Sequence, residues 1–586
     1  MKLQKLHRYL LLFFVPILSI TLLTACSDDD NGTSIVDPPQ EDDPNLVELA
    51  QSDDNFSTLV SLVVDLDLVD VLANNELTVF APTNAAFDAL PDGLVESLTP
   101  EELTEIVTYH LVEGTVMSSD LAPQQDVVMF QGERTLIQAS AAGVLINGSA
   151  NVVTADLTAT NGVIHAIDEV ILPTEFRVAV EGPSLVEVAQ EAGNFETLLS
   201  LTETVGLTTT LQFLGPFTAF APTDEAFEEL FSVVDPGTLS NEEITFVLTY
   251  HVLFGEVPSS ALDAQQSVET INEELLYITA GDEGVTVNGT STVIAADVEA
   301  TNGVIHVVDS VLLPNAFLNI TGLVQKNYNL TTLLGLVAER QAFLDALSDP
   351  SGAFTVFAPN NNAFADVLSA NPDLTEEQVT EIIGYHVLLA EVLSGDLEEA
   401  QTVETLSEEE IYVTVDNGEV TINNSATVVM ADIRGNNGAV HVIDGVLLPN
   451  AFTPVTGIVA KNYNLSTLLS LVAERQDILD ALSGEGDFTV FAPTNAAFDA
   501  ALEAYPDLTD EQITEILTYH VLGAQVFSTD LSDGQTAETL QGEEITVTIE
   551  DGVQINNANV ITVDLTGTNG VVHIIDAVIL PPSYTE

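Results

Sequence analysis

The chain has no tryptophan, a single cysteine and only 10 Lys+Arg among its 586 residues. Each shortage closes off a class of protein. One cysteine provides neither a disulfide framework nor a cysteine-built metal centre. Ten basic residues against 91 Asp+Glu give a formal charge of −81. A field of that sign repels polyanions and excludes nucleic acid as a partner. With no tryptophan and 11 tyrosines, the chain is poor in the aromatic platforms that bind sugars. Catalytic signatures are missing too: there is no Gly-x-Ser-x-Gly elbow, no His-Glu-x-x-His and no phosphate loop. Gly484 and Gly486 begin a dinucleotide fingerprint, but Thr489 stands where its third glycine belongs. The sequence therefore predicts no enzyme, no catalytic residue and no cofactor. Hydrophobic residues still make up 46% of the chain, enough for folded cores.

The N-terminus indicates where such a protein is held. Lys2, Lys5, His7 and Arg8 precede an apolar run from Leu10 to Leu23 that contains Pro16. That run is shorter than the ~20 residues a spanning helix needs. It ends Leu23-Thr24-Ala25-Cys26, which resembles the lipobox of bacterial lipoproteins. Residues 1–25 are predicted to be a signal peptide, and Cys26 is predicted to be lipidated, making the membrane a partner through the N-terminal lipid. Ser27-Asp28-Asp29-Asp30 resembles the acidic segment that sends some lipoproteins to the outer face of the outer membrane. Residues 26–43, with little to bury, form the expected acidic flexible tether.

Beyond the tether the chain repeats. Tyr109-His110, Tyr250-His251, Tyr385-His386 and Tyr519-His520 recur at domain-sized intervals. The expected domains are 44–174, 180–314, 318–449 and 454–582. Each carries an amphipathic helix after an asparagine such as Asn194 or Asn464, which is expected to cap it. Then come an apolar strand ending in Ala-Pro-Thr or, once, Ala-Pro-Asn360, and a capping box before the Tyr-His helix: Thr99 with Glu102, Ser240 with Glu243, Thr375 with Gln378, Thr509 with Gln512. Asn161-Gly162, Asn302-Gly303, Asn437-Gly438 and Asn569-Gly570 are expected to turn a closing hairpin. Its second strand carries His165, His306, His441 or His573.

The Phe-Ala-Pro-Thr-Asn-x-Ala-Phe segment at Phe80–Phe87, the Tyr-His pair and the Asn-Gly-Val-Ile-His-x-Ile-Asp segment at Asn161–Asp168 resemble the signatures of the fasciclin domain family, with counterparts in all four repeats. The resemblance implies an α+β fold: four tandem domains, each a small β-sandwich or wedge flanked by helices. In animal members the Tyr-His region is associated with integrin binding. This chain has no Arg-Gly-Asp, and His110 falls on the apolar side of its helix with Leu103, Ile106 and Val107. The eight histidines, two per repeat, are therefore expected to be core elements. The competing metal reading joins each pair to an aspartate before the turn (Asp156, Asp297, Asp432, Asp564) and one after it (Asp168, Asp309, Asp444, Asp576). The expected function is surface adhesion, with a cell-surface or matrix protein or a polysaccharide of a biofilm as partner. Glycan or solute capture is the first alternative, and weak divalent-cation binding is the second.

Overall fold

A computed structural model describes residues 43–584 apart from 92, 550 and 551. The expected signal peptide, Cys26 and all but the last residue of the expected tether lie outside the described residues. The chain divides after Leu312 into two compact units, each carrying two repeats. No helix among the described residues is long and apolar enough to cross a membrane.

Every repeat builds one seven-stranded sheet of the same order. In the first, the strands are β1 (Leu77–Pro82), β2 (Leu111–Glu113), β3 (Gln124–Val128), β4 (Arg134–Ser140), β5 (Gly143–Ile146), β6 (Ala150–Ala159) and β7 (Gly162–Ile167). They pair as β2-β1-β7-β6-β5-β4-β3. Only β1 and β7 are parallel. Both are buried along their whole length, as parallel strands covered on two faces must be.

Alternation along these two strands serves two cores. Val79, Ala81, Ile164 and Ala166 face a helical layer containing Leu46, Phe56, Leu59 and Leu72. Phe80 and Ile167 point the other way, to meet Tyr109, Ile137 and Ile146. Residues of β1, β4, β5 and β7 share that second core, so the sheet folds over upon itself into a wedge. Strand β6 makes the fold: its pairing with β7 slips between Val152 and Thr154 and again between Thr154 and Leu157. Bulges of this kind bend a strand and increase its twist. Asp156, within the second slip, has φ 59°, and Asp297, Asp432 and Asp564 repeat it at 57°, 59° and 60°.

The capping boxes form at all four Tyr-His helices, each cap contributing ~1 kcal/mol. Thr83, Thr223, Asn360 and Thr494 cap the helices after the apolar strand. Two expectations need correction. Asn194 and Asn464 do not cap the helices Glu196–Thr204 and Ser466–Ala473, whose N-cap residues are Phe195 and Leu465. Oxygen arrives instead from across the fold: Asp224 accepts from the amides of Glu196 and Thr197 at 3.1 and 2.8 Å, and Asn495 from Thr467 at 2.9 Å. Asn464 sits inside a 3₁₀ turn and gives its own amide to the Asn462 side chain.

The Asn-Gly pairs are not the centres of their turns. Ala159 pairs with Gly162, leaving Thr160 and Asn161 as the connection. Asn161 acts as a clamp: Oδ1 accepts from Leu46 N at 2.9 Å, while Nδ2 donates to the carbonyls of Leu72 and Asn75 at 2.7 and 2.8 Å. Asn437 ties Ile320, Leu347 and Asp349 in the same way. Glycine follows because β7 runs against β1: a Cβ on Gly162 would lie 1.9 Å from Leu77 O, at a φ of +149°.

Candidate functional site

The Tyr-His pair sits where the helical layer meets the wedge. Tyr109, Tyr250, Tyr385 and Tyr519 are each 0% exposed. Burial raises the pKa of each phenol, so none is a source of phenolate. Each hydroxyl donates to a backbone carbonyl across the wedge, as Tyr250 does to Leu275 O and Tyr385 to Glu410 O at 2.9 Å. It also accepts from an asparagine 37 or 38 residues downstream: Asn147, Asn288, Asn423 or Asn556. Those asparagines, at φ 52–53°, simultaneously accept from the amides of Leu136, Tyr277, Tyr412 and Thr546. The spacing from Tyr to Asn is visible in the sequence, yet no local pattern marks it, because the partner lies in a tight turn of the wedge.

The adjacent histidine is used on both nitrogens. His110 Nδ1 donates to Ile106 O at 2.8 Å and Nε2 accepts from Ile171 N at 3.1 Å. His251, His386 and His520 repeat this with Val247 and Leu312, Ile382 and Leu447, and Ile516 and Ile579. One acceptor and one donor facing the ring fix the neutral Nδ1–H tautomer. Burial pushes all four pKa values down to about 4, against the opposing pull of the carbonyl bond.

The hairpin histidine has the opposite tautomer. His165 Nδ1 accepts from Asp156 N at 3.2 Å and Nε2 donates to Val116 O at 2.9 Å. His306, His441 and His573 do likewise. Each ring also lies against the phenylalanine beside it on the parallel neighbouring strand, Phe80, Phe220, Phe357 or Phe491, with centroids 5.4–5.7 Å apart. The aspartate at the bulge is engaged as well: Asp156 accepts from the amide and hydroxyl of Ser118, and Asp297, Asp432 and Asp564 accept from Ser259, Ser394 and Ser528. Serine, aspartate and histidine thus stand together without a nucleophilic relay, since the hydroxyl hydrogen-bonds carboxylate and the imidazole hydrogen-bonds backbone. Asp168, after the turn, accepts from Asn151 instead of approaching either histidine. No group of three or more His, Cys, Asp or Glu suited to a metal occurs among the described residues.

The Fasciclin domain family model matches residues 54–173, 193–314, 328–449 and 463–581. The chain belongs to the fasciclin domain family. Its relatives include the transforming growth factor-beta-induced protein ig-h3 of Sus scrofa, 30% identical over 86% of this chain and 73% of that protein. Human periostin is 28% identical over 87% of this chain and 60% of its own length. The cell surface glycolipoprotein MPB83 of Mycobacterium bovis is 40% identical over 22% of this chain and 61% of that one. A solved domain pair from the insect cell adhesion molecule fasciclin I is 21% identical with a TM-score of 0.35, covering 44% of this chain and 98% of the pair.

Within each unit the fasciclin domains meet next to the Tyr-His pair. In the second unit, Lys461 of the fourth domain places Nζ 5.4 Å from the Tyr385 ring centroid and 3.1 Å from Asn450 Oδ1. Glu409 accepts from Asn450 N at 2.9 Å, and the Tyr463 ring meets Tyr412 edge-on at 6.0 Å. Burial pulls the ammonium pKa down to about 8, with Glu409 opposing. In the first unit Arg177 takes a comparable role, pairing with Glu187 at 2.6 Å and lying 5.6 Å from the Phe213 ring centroid. Hydrogen bonds from Thr209 to Asp126 and from Gln124 to Thr210 join the same two domains. The sequence offered a signal for this joint only in the scarcity of cations: Arg177 and Lys461, two of the 10, are both buried.

Proposed function

We propose that this chain is a non-catalytic adhesion protein, anchored by lipid on Cys26 at the outer face of the outer membrane. Its fasciclin domains engage a cell-surface or matrix protein, or a biofilm polysaccharide. The observation that carries the reading is the saturation of every Tyr-His pair. With both imidazole nitrogens and the phenol committed inside the core, the repeated motif builds domains and leaves recognition to their surfaces. Four such domains on one chain add avidity without a new contact at any single site. The kinship with a cell surface glycolipoprotein supports the location, as does the Leu23-Thr24-Ala25-Cys26 segment.

A deletion strain tests adhesion: it should lose surface attachment, aggregation or biofilm mass, and wild-type behaviour in all three sinks the reading. A Cys26→Ser variant tests the anchor. It should leave the membrane fraction and fail to incorporate a labelled fatty acid, while persistence in that fraction refutes lipidation.

A further inference from the structure

The first unit contains a groove of about 1990 Å³, walled by its first domain at Gln124, Asp126 and Thr174 and by its second domain along most of its length. Small-molecule sites occupy ~300–1,000 Å³, so this volume suits a length of polymer better than a solute. Glu196, Glu203, Glu242, Glu269 and Glu273 line it and are exposed, and Arg134 is the one basic residue among the lining. Leu199 and Ile271 supply apolar surface. Beside them Phe254 stands 70% exposed, its inner side resting on Phe217 at 6.0 Å between centroids. Phe254 with Leu199 and Ile271 gives the groove a shared apolar lining among carboxylates, and it is such apolar patches with polar rims, not single exposed side chains, that mark interaction surfaces.

The charge on this surface chooses the occupant. Anionic polymers are repelled. A second copy of this chain has no cationic face to offer: among the described residues Arg177, Lys326 and Lys461 are buried, and the exposed Arg134 stands alone in the groove itself. Arg340 and Arg475 keep only 11% and 12% of their side chains exposed, and Arg434 pairs with Glu391.

We propose that the groove receives a basic, amphipathic peptide segment of a foreign surface or matrix protein. Its lysines or arginines meet Glu203, Glu269 and Glu273, and its apolar side chains lie against Leu199, Ile271 and Phe254. The proposal deepens the adhesion reading and rests on it for the partner's location, although binding itself can be measured apart from any phenotype.

The test is calorimetric titration of the full chain, in detergent and about 0.15 M salt, with a synthetic peptide of alternating lysine and leucine. A glutamate–leucine peptide serves as the matched probe. One saturable site per chain is expected for the lysine peptide and none for the glutamate peptide. Affinity should fall roughly tenfold or more in the triple variant Glu203→Gln, Glu269→Gln, Glu273→Gln and again in Phe254→Ser. It should hold in Glu398→Gln, Glu399→Gln, Glu419→Gln, which removes equal charge from exposed positions of the third domain. Many equivalent weak sites, no binding, or equal loss in both triple variants overturns the groove as a site. Those outcomes leave adhesion standing, since the deletion strain judges it separately.

Discussion

Lowering the pH from 7.5 to 5 should loosen the third domain through His386, and replacing that residue should remove the effect. In the folded chain its Nε2 accepts from Leu447 N at 2.9 Å while Nδ1 donates to Ile382 O at 2.7 Å. A second proton on the ring would set two N–H groups against each other in a site 2% exposed. The folded pKa is accordingly pulled from 6.5 to about 4. Between those values the unfolded chain takes up a proton that the folded chain refuses. The stabilising contribution is complete above pH 6.5 and drains as the pH falls towards 4. At pH 5 the loss is about 2 kcal/mol, or roughly 30-fold in the opening equilibrium. Hydrogen exchange of the amides in the strand Gly438–Ile443, corrected for intrinsic rate, reads that change locally. A His386→Gln variant should be weaker at pH 7.5 by about 1–3 kcal/mol, because a buried amide or carbonyl goes unmet. It should nevertheless lose much less protection on acidification. Wild-type protection unchanged at pH 5, or an equal loss in the variant, refutes the tautomer argument.

Three further outcomes follow from the same structure. Asn437→Ala strips partners from Ile320 N, Leu347 O and Asp349 O, and should destabilise the third domain by about 2–4 kcal/mol in urea; a cost under about 0.5 kcal/mol would show the clamp to be incidental. Gly438→Ala places a Cβ 2.0 Å from Phe354 O, so the parallel strand pair should separate and limited proteolysis should cut within residues 318–449, whereas resistance matching wild type counts against the packing argument. Lys461→Met should raise the melting temperature of the second unit at pH 7, because charging an amine whose pKa has fallen to about 8 costs folding energy below its unfolded value. That advantage should shrink as the pH rises from 8 towards 10.5, where the unfolded lysine also becomes neutral, and a lower melting temperature at pH 7 would mean the contacts with Tyr385 and Asn450 outweigh desolvation.

Local chemistry was legible in the sequence wherever partners are neighbours along the chain. A Ser or Thr three residues before Glu or Gln can satisfy its own amides, so the four capping boxes were readable as written. Alternation in Val163–Ile167 likewise sorted the side chains onto two faces, because strand geometry has a period of two, but only the structure showed that both faces are buried. Fourfold repetition and family resemblance fixed the α+β class. Tertiary structure alone decided the roles of residues whose partners lie far off. Asn161-Gly162 looked like a turn, yet Asn161 clamps groups 86–115 residues away and Gly162 admits a neighbouring backbone. Asp156 and His165 were also half of the competing metal reading, and the bulged strand spends them on Ser118 and Val116. Sequence supplies donors and acceptors in order. Folding determines which of them are left over, and here almost none remain at the Tyr-His pair.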